Sequence, residues 1–157
     1  MSERPIAMRA EQAPPRPKAA LPPDIAAGLE GRTKQPLGVL FGLRNFGVNL
    51  TRLAPGARSS FRHAHSAQEE FIYILAGHPT LQTDAGETPL APGDCAGFPA
   101  GTGDAHCLVN RTADEVVILE VGDRSGDDHV TYPDADLAGY SPDGVAVRYT
   151  RKDGSPV

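Results

Sequence analysis

His63-Ala64-His65-Ser66-Ala67-Gln68-Glu69-Glu70-Phe71-Ile72-Tyr73-Ile74-Leu75-Ala76-Gly77 is the stretch on which the reading of this chain turns. On an extended strand side chains alternate, so His63 and His65 project from one face, which Phe61 shares, and their imidazoles can converge. If that face is interior, two neighbouring histidines must be hydrogen-bonded, carry charge at a cost, or hold a metal. An isolated H-x-H pair is more often two surface histidines near a strand end. Here the context argues otherwise. Glu69-Glu70 opens an apolar run that ends at Ala76-Gly77, and a turn at Ser66-Ala67-Gln68 would bring that run back beside the first strand, setting a carboxylate against the imidazoles. His106-Cys107-Leu108-Val109-Asn110 then supplies a third imidazole on another strand. Three neutral imidazoles and one carboxylate carry a net charge of about −1 before a cation arrives, and suit divalent Mn, Fe, Co, Ni or Zn.

Outward from this stretch the chain reads as all-β. Short runs rich in β-branched and aromatic residues recur with turn clusters between them, the pattern of a sandwich or barrel. The expected strands are Leu37 to Leu43, Gly47 to Leu53, Ser59 to His65, Glu70 to Leu75, Thr80 to Thr83, Glu87 to Leu90, Asp94 to Phe98, His106 to Asn110 and Glu115 to Val121. Asp84-Ala85-Gly86 is a hairpin turn, and Pro55-Gly56, Ala76-Gly77 and Pro92-Gly93 make the other sharp corners.

Leu, Ile, Val and Phe number 4 in residues 1–36, 24 in residues 37–121 and 5 in residues 122–157, so only the middle can bury a substantial core. Residues 1–36 read as a proline-rich N-terminal arm, because so little apolar surface cannot offset the entropy of ordering. One short helix is expected within it, at Pro23 to Glu30, with Asp24 as N-cap and Ile25 and Leu29 four apart on one face. Residues 122–157, with seven acids to four bases, are expected to pack on the barrel, with Val145 to Tyr149 as a late strand. The 157 residues carry a net charge of −5 with the basic residues scattered, which argues against nucleic-acid binding. No run approaches the ~18 apolar residues of a membrane span, and the first residues contain no apolar leader, so the chain is read as cytoplasmic with no membrane partner.

The two histidine segments resemble the motifs of the cupin family, small β-barrels of jelly-roll type. Gly56, His63, His65, Glu70 and Gly77 match the first motif, with one more residue than usual between Gly56 and His63. Gly93, Pro99, Gly101, His106 and Asn110 match the second, with a longer loop between Gly101 and His106. The resemblance covers roughly residues 37–121. It implies a double-stranded β-helix whose metal ligands are His63, His65, Glu70 and His106, near one mouth of the barrel, with one divalent transition metal (Zn, Mn, Fe or Ni) as cofactor. Glu69 is the competing carboxylate; the family spacing to Gly77 favours Glu70. The resemblance also implies a homodimer. That agrees with the apolar character of both faces of Phe71 to Leu75, which calls for cover from the arm or from a second subunit.

Other residues carry weaker assignments. Asn110 is expected to fix a returning loop through bonds to backbone. Arg58 and Arg62 are candidates for holding an anionic substrate group, and Asp104 and Arg62 are the candidate catalytic groups, against the plainer readings of surface charge and turn chemistry. Tyr73 belongs to outer packing, Cys95 and Cys107 read as buried structural thiols, and His78 and His129 as exposed. For function, four ligands on an ion that accepts five or six leave room for substrate oxygens, so the expectation is a metal-dependent enzyme acting on a small molecule. The sugar-phosphate isomerase branch of the family comes first. A dioxygenase, or a non-catalytic module that binds a small ligand, remains open. Cations pointing into the cavity would favour the isomerase; a wholly apolar cavity would favour oxygenation.

Overall fold

The computed structural model describes residues 4–16 and 22–157, so residues 1–3 and 17–21 of the arm, Pro17 among them, lie outside the described residues. Strands β1 (Arg32–Pro36), β2 (Phe46–Leu53), β4 (Glu70–Ala76), β7 (Cys95–Phe98) and β9 (Val116–Asp123) form a five-stranded sheet in the order β1-β2-β9-β4-β7. A second sheet has the order β12-β11-β10-β3, from Arg148–Thr150, Ala138–Ser141, Asp128–Thr131 and Ala64–His65. The third is β6-β5-β8, from Gly86–Pro89, Thr80–Thr83 and Cys107–Val109. Every pairing is antiparallel. The mostly-β barrel expected from the sequence is the observed fold.

Register decides what each face carries. Leu53 stands opposite Val116 and Thr51 opposite Ile118, while Ile118 also faces Ile74 on its other side. These residues point inward and are almost fully buried, and they pack with Leu81 and Leu108 of the third sheet. Each such side chain contributes about 1.5 to 3 kcal/mol of burial free energy. A second, smaller core holds Ile25 and Leu29 against Val130, Tyr132 and Leu137. The helical turn expected near Pro23 thus exists as α1 (Pro23–Ala27), with Pro22 rather than Asp24 in the capping position.

Four expectations need correction. The strand expected at Leu37 to Leu43 lies earlier, at β1, and Leu37–Leu40 forms a short helix, α2. β1 has little apolar periodicity and owes its strand form to pairing with β2, register Arg32↔Leu53 to Pro36↔Asn49. Ser59 to His65 is not one strand: single bridges at Arg58↔Val109 and His63↔His106 join it to the third sheet before β3 crosses to the second. The tail forms three strands, of which β12 overlaps the expected Val145 to Tyr149, while β10 and β11 were unexpected because their sequences are acidic or small. Cys95 is exposed, on the outer face of the sheet opposite Tyr73; Cys107 is buried as expected.

Two motif residues show why their types are required. Gly77 has φ +78°, and a Cβ there would lie 2.5 Å from the Glu115 carbonyl oxygen, so no larger residue fits the corner. Asn110 is fully buried. Its Nδ2 donates to the Leu53 and Asp114 carbonyls at 2.9 and 2.8 Å, and its Oδ1 accepts from the Thr112 amide at 3.0 Å and hydroxyl at 2.7 Å. That is the loop-fixing role expected for it.

The outside of the five-stranded sheet is only partly covered. The Gln35 amide donates to the Ala13 carbonyl at 2.6 Å and the Arg16 amide to the Lys34 carbonyl at 2.8 Å, so the described part of the arm lies along β1. Leu50, opposite Gln35, is buried there. On β4 the outward Phe71, Tyr73 and Leu75 remain 42%, 39% and 48% exposed. No helix among the described residues is long and apolar enough to cross a membrane.

Candidate metal centre

The three sheets each bring a part of the site. His63 and His106 exchange both backbone hydrogen bonds, at 3.1 and 2.9 Å, so their side chains leave the same face side by side, with ring centroids 4.8 Å apart. His65 follows on β3, its ring 5.0 Å from that of His63 and edge-on to it. Glu70 comes from β4, but not by the hairpin expected from the turn at Ser66. β3 and β4 belong to different sheets, and the carboxylate meets the imidazoles across the barrel interior. Its Oε2 stands 2.8 Å from His106 Nε2, 3.3 Å from His63 Nε2 and 3.6 Å from His65 Nε2. Glu69 is exposed, its backbone amide bonded to Asp123, and takes no part.

Hydrogen bonds behind the rings settle what they present. His63 Nδ1 lies 2.9 Å from the Phe61 carbonyl, which can only accept, and 3.0 Å from the Ser60 hydroxyl, which can accept as well, so a proton on Nδ1 serves both and leaves the Nε2 lone pair facing Glu70. His65 Nδ1 lies 2.6 Å from Asp128 Oδ2, with the same consequence. Asp128 was not recognised in the sequence. It is fully buried, and its other oxygen accepts from the Ala67 and Gln68 amides at 2.8 and 3.2 Å. Burial pushes its carboxyl up, yet these bonds hold it below its ordinary value. The only signal was its place in Asp127-Asp128-His129, which reads as an exposed acidic turn.

At least two lone pairs therefore point at a carboxylate oxygen that is buried and lacks a hydrogen-bond partner, and His106 Nδ1 is likewise buried and unpartnered. Such a cluster of acceptors is unfavourable unless something positive sits among them. Burial pushes the Glu70 carboxyl up, but His106 and His63 hold it well below the usual carboxylate range. For His63, burial lowers the imidazole and the Glu70 contact more than restores it; for His106 burial prevails. The ligand atoms of His63, Glu70 and His106 all lie within 4.8 Å of one another, an arrangement that could hold a metal ion, with His65 just outside that tightest set. A cavity of about 10 Å³, room for one small species, opens beside Glu70 and His106 toward Gln68, Thr102 and Asp104.

The remaining candidates are placed elsewhere. Arg62 binds Asp134 at 2.8 Å and also Asp84, both exposed, and Arg58 is bridged by its backbone to Val109 of the third sheet. Both cations are near the Cys107 thiol, which burial raises and they oppose. Neither lines the cavity. Asp104 does stand at its mouth, where its carboxylate accepts the Asp84 amide at 2.8 Å. His78 and His129 are exposed.

A β-barrel with three histidines and one glutamate converging inside it defines a class of protein, and comparisons with known proteins name it. Residues 49–122 match the family model described as Cupin domain. A crystal structure of a cupin superfamily sugar phosphate isomerase from Silicibacter pomeroyi matches with a TM-score of 0.87 and 41% identity, covering 96% of each chain. One from Acidithiobacillus ferrooxidans, assigned as a sugar phosphate isomerase, matches with a TM-score of 0.70 and 30% identity over 87% of this chain and 94% of that one. A polyketide cyclase from Streptomyces resistomycificus, at 21% identity, TM-score 0.62, 74% of this chain and 78% of its own, shares the fold. Comparison with curated proteins finds no match. The chain belongs to the cupin superfamily.

Proposed function

We propose that this protein is a divalent-metal-dependent isomerase of a small phosphorylated sugar, with His63, His65, Glu70 and His106 holding one ion of Zn, Mn, Fe or Ni. The observation that carries the reading is the buried, partnerless Glu70 oxygen facing three imidazole nitrogens. The 41% identity to a sugar phosphate isomerase supports the substrate class, and Gln68, Thr102 and Asp104, which line the cavity together with Ala64, Phe98 and Pro99, offer hydrogen-bond partners to a hydroxylated substrate. When bound, the ion would polarise a carbonyl oxygen and stabilise charge developing on it. The chain's residues do the rest: Asp128 and the Phe61 carbonyl keep two rings in the ligating tautomer, and Asp104, at the mouth, accepts a substrate hydroxyl proton in a hydrogen bond. We place the protein in the cytoplasm.

The test is a panel of aldose and ketose phosphates incubated in D2O with metal-occupied protein and followed by proton NMR. Interconversion with deuterium entering the carbon next to the carbonyl is expected. Absence of conversion across the panel, with metal occupancy verified, would remove the isomerase. The uncovered outer face of β4 is assigned to a second copy of the chain, and sedimentation should give about twice the 16.6 kDa chain mass.

A further inference from the structure

The inner face of the five-stranded sheet changes character along its strands. At one end it carries Leu53, Val116, Ile118 and Ile74, with Arg32 and Lys34 in the same rows on β1; toward Glu70 it carries Asn49 and Glu120, and the long Lys34 side chain reaches that way. Lys34 stands opposite the inward Thr51, Asn49 opposite Glu120, and Glu120 opposite Ile72, two residues along from the pair Gly122↔Glu70. Lys34 Nζ reaches across to Glu120 Oε2 at 2.7 Å, and the two side chains are only 20% and 16% exposed. Arg32, two residues away on the same face, donates to the Ser59 carbonyl at 2.7 Å and makes no ion pair among the described residues. Burial pushes its guanidinium down, the Glu120 charge opposes this, and Arg16 adds a like charge nearby. The Lys34 charge also reaches His63.

Charges inside a barrel are costly, and packing does not require them. Two cations, Arg32 and Lys34, against the single carboxylate of Glu120 leave this stretch of wall positive. We propose that Lys34 receives the anionic group of the substrate, a phosphate or a carboxylate, while its reacting end lies at His63, Glu70 and His106. Glu120 takes one of the three ammonium donors and leaves the others for the anion. This is the role expected from sequence for Arg58 and Arg62, neither of which lines the cavity, Arg62 being held by Asp84 and Asp134. The assignment rests on the reading above that the site takes a small anionic molecule.

Calorimetric titration of metal-occupied protein with inorganic phosphate, acetate, ribose and ribose 5-phosphate tests it. Lys34→Met should weaken phosphate and ribose 5-phosphate binding about 10- to 100-fold, while Lys34→Arg restores it and ribose binding and metal content do not change. Dependence on Lys34 for acetate but not phosphate would keep the site and make its ligand a carboxylate. Phosphate and acetate binding that is undetectable in the wild type, or unaffected by Lys34→Met, overturns the proposal. Lys34-dependent phosphate binding without isomerisation removes the isomerase and keeps the site; isomerisation indifferent to Lys34→Met does the reverse.

Discussion

Glu70→Ala protein, purified without a chelating tag, is expected to contain well under one metal equivalent while keeping a folded barrel. Glu70 is the one proposed ligand from the five-stranded sheet and the group toward which all three imidazoles point, at 2.8, 3.3 and 3.6 Å. Without it the site loses its only anionic ligand, and three neutral nitrogens bind a divalent ion far less tightly. The fold should survive because the apolar core around Leu53, Ile74, Val116 and Ile118 does not depend on that carboxylate. His65→Ala is expected to lower metal content too, but less, since His65 lies outside the set whose ligand atoms are all within 4.8 Å of one another. Elemental analysis beside circular dichroism reads both. Wild-type metal content in both variants would remove the four-ligand arrangement.

The parts of this molecule that were legible in sequence are those where local pattern and chemistry agree. The short β-branched and aromatic runs, the turn glycines and the paired histidine segments led to the barrel, and family spacing selected Glu70 over Glu69. What local pattern could not show is which sheet a strand joins. His63 to His65 leaves one sheet for another within three residues, so Glu70 arrives from across the barrel. β1, Arg-Thr-Lys-Gln-Pro, carries no apolar signal; it is a strand because β2 offers it an edge. For the same reason the inward direction of Lys34 and Arg32 follows only from register. Asp128 was missed on similar grounds, since an acid in an acidic tail looks solvated until the chain folds it beneath His65.

Asp128 is also where folding and metal binding can be separated. Its carboxylate accepts two backbone amides with one oxygen and the His65 ring proton with the other. Asp128→Ala leaves those three donors without a partner, at about 1 to 3 kcal/mol each; the contacts are only part-buried, so the lower part of that range applies and a loss of roughly 3 to 5 kcal/mol is expected. On a total of about 5 to 15 kcal/mol, that is a large fraction of the stability. Asp128→Asn should behave differently. Its amide oxygen can still accept from Ala67 and Gln68, keeping the turn, but its NH2 group then faces His65 Nδ1 and must donate. The imidazole is forced to carry its proton on Nε2, the atom that faces Glu70, and can no longer ligate there. Near-wild-type chemical denaturation of the metal-free protein, with metal affinity lower by about 10- to 100-fold, is therefore the expected result for Asp128→Asn. Equal metal affinity in the wild type and Asp128→Asn would mean that His65 does not bind through the ring orientation seen here, and that three residues alone carry the ion.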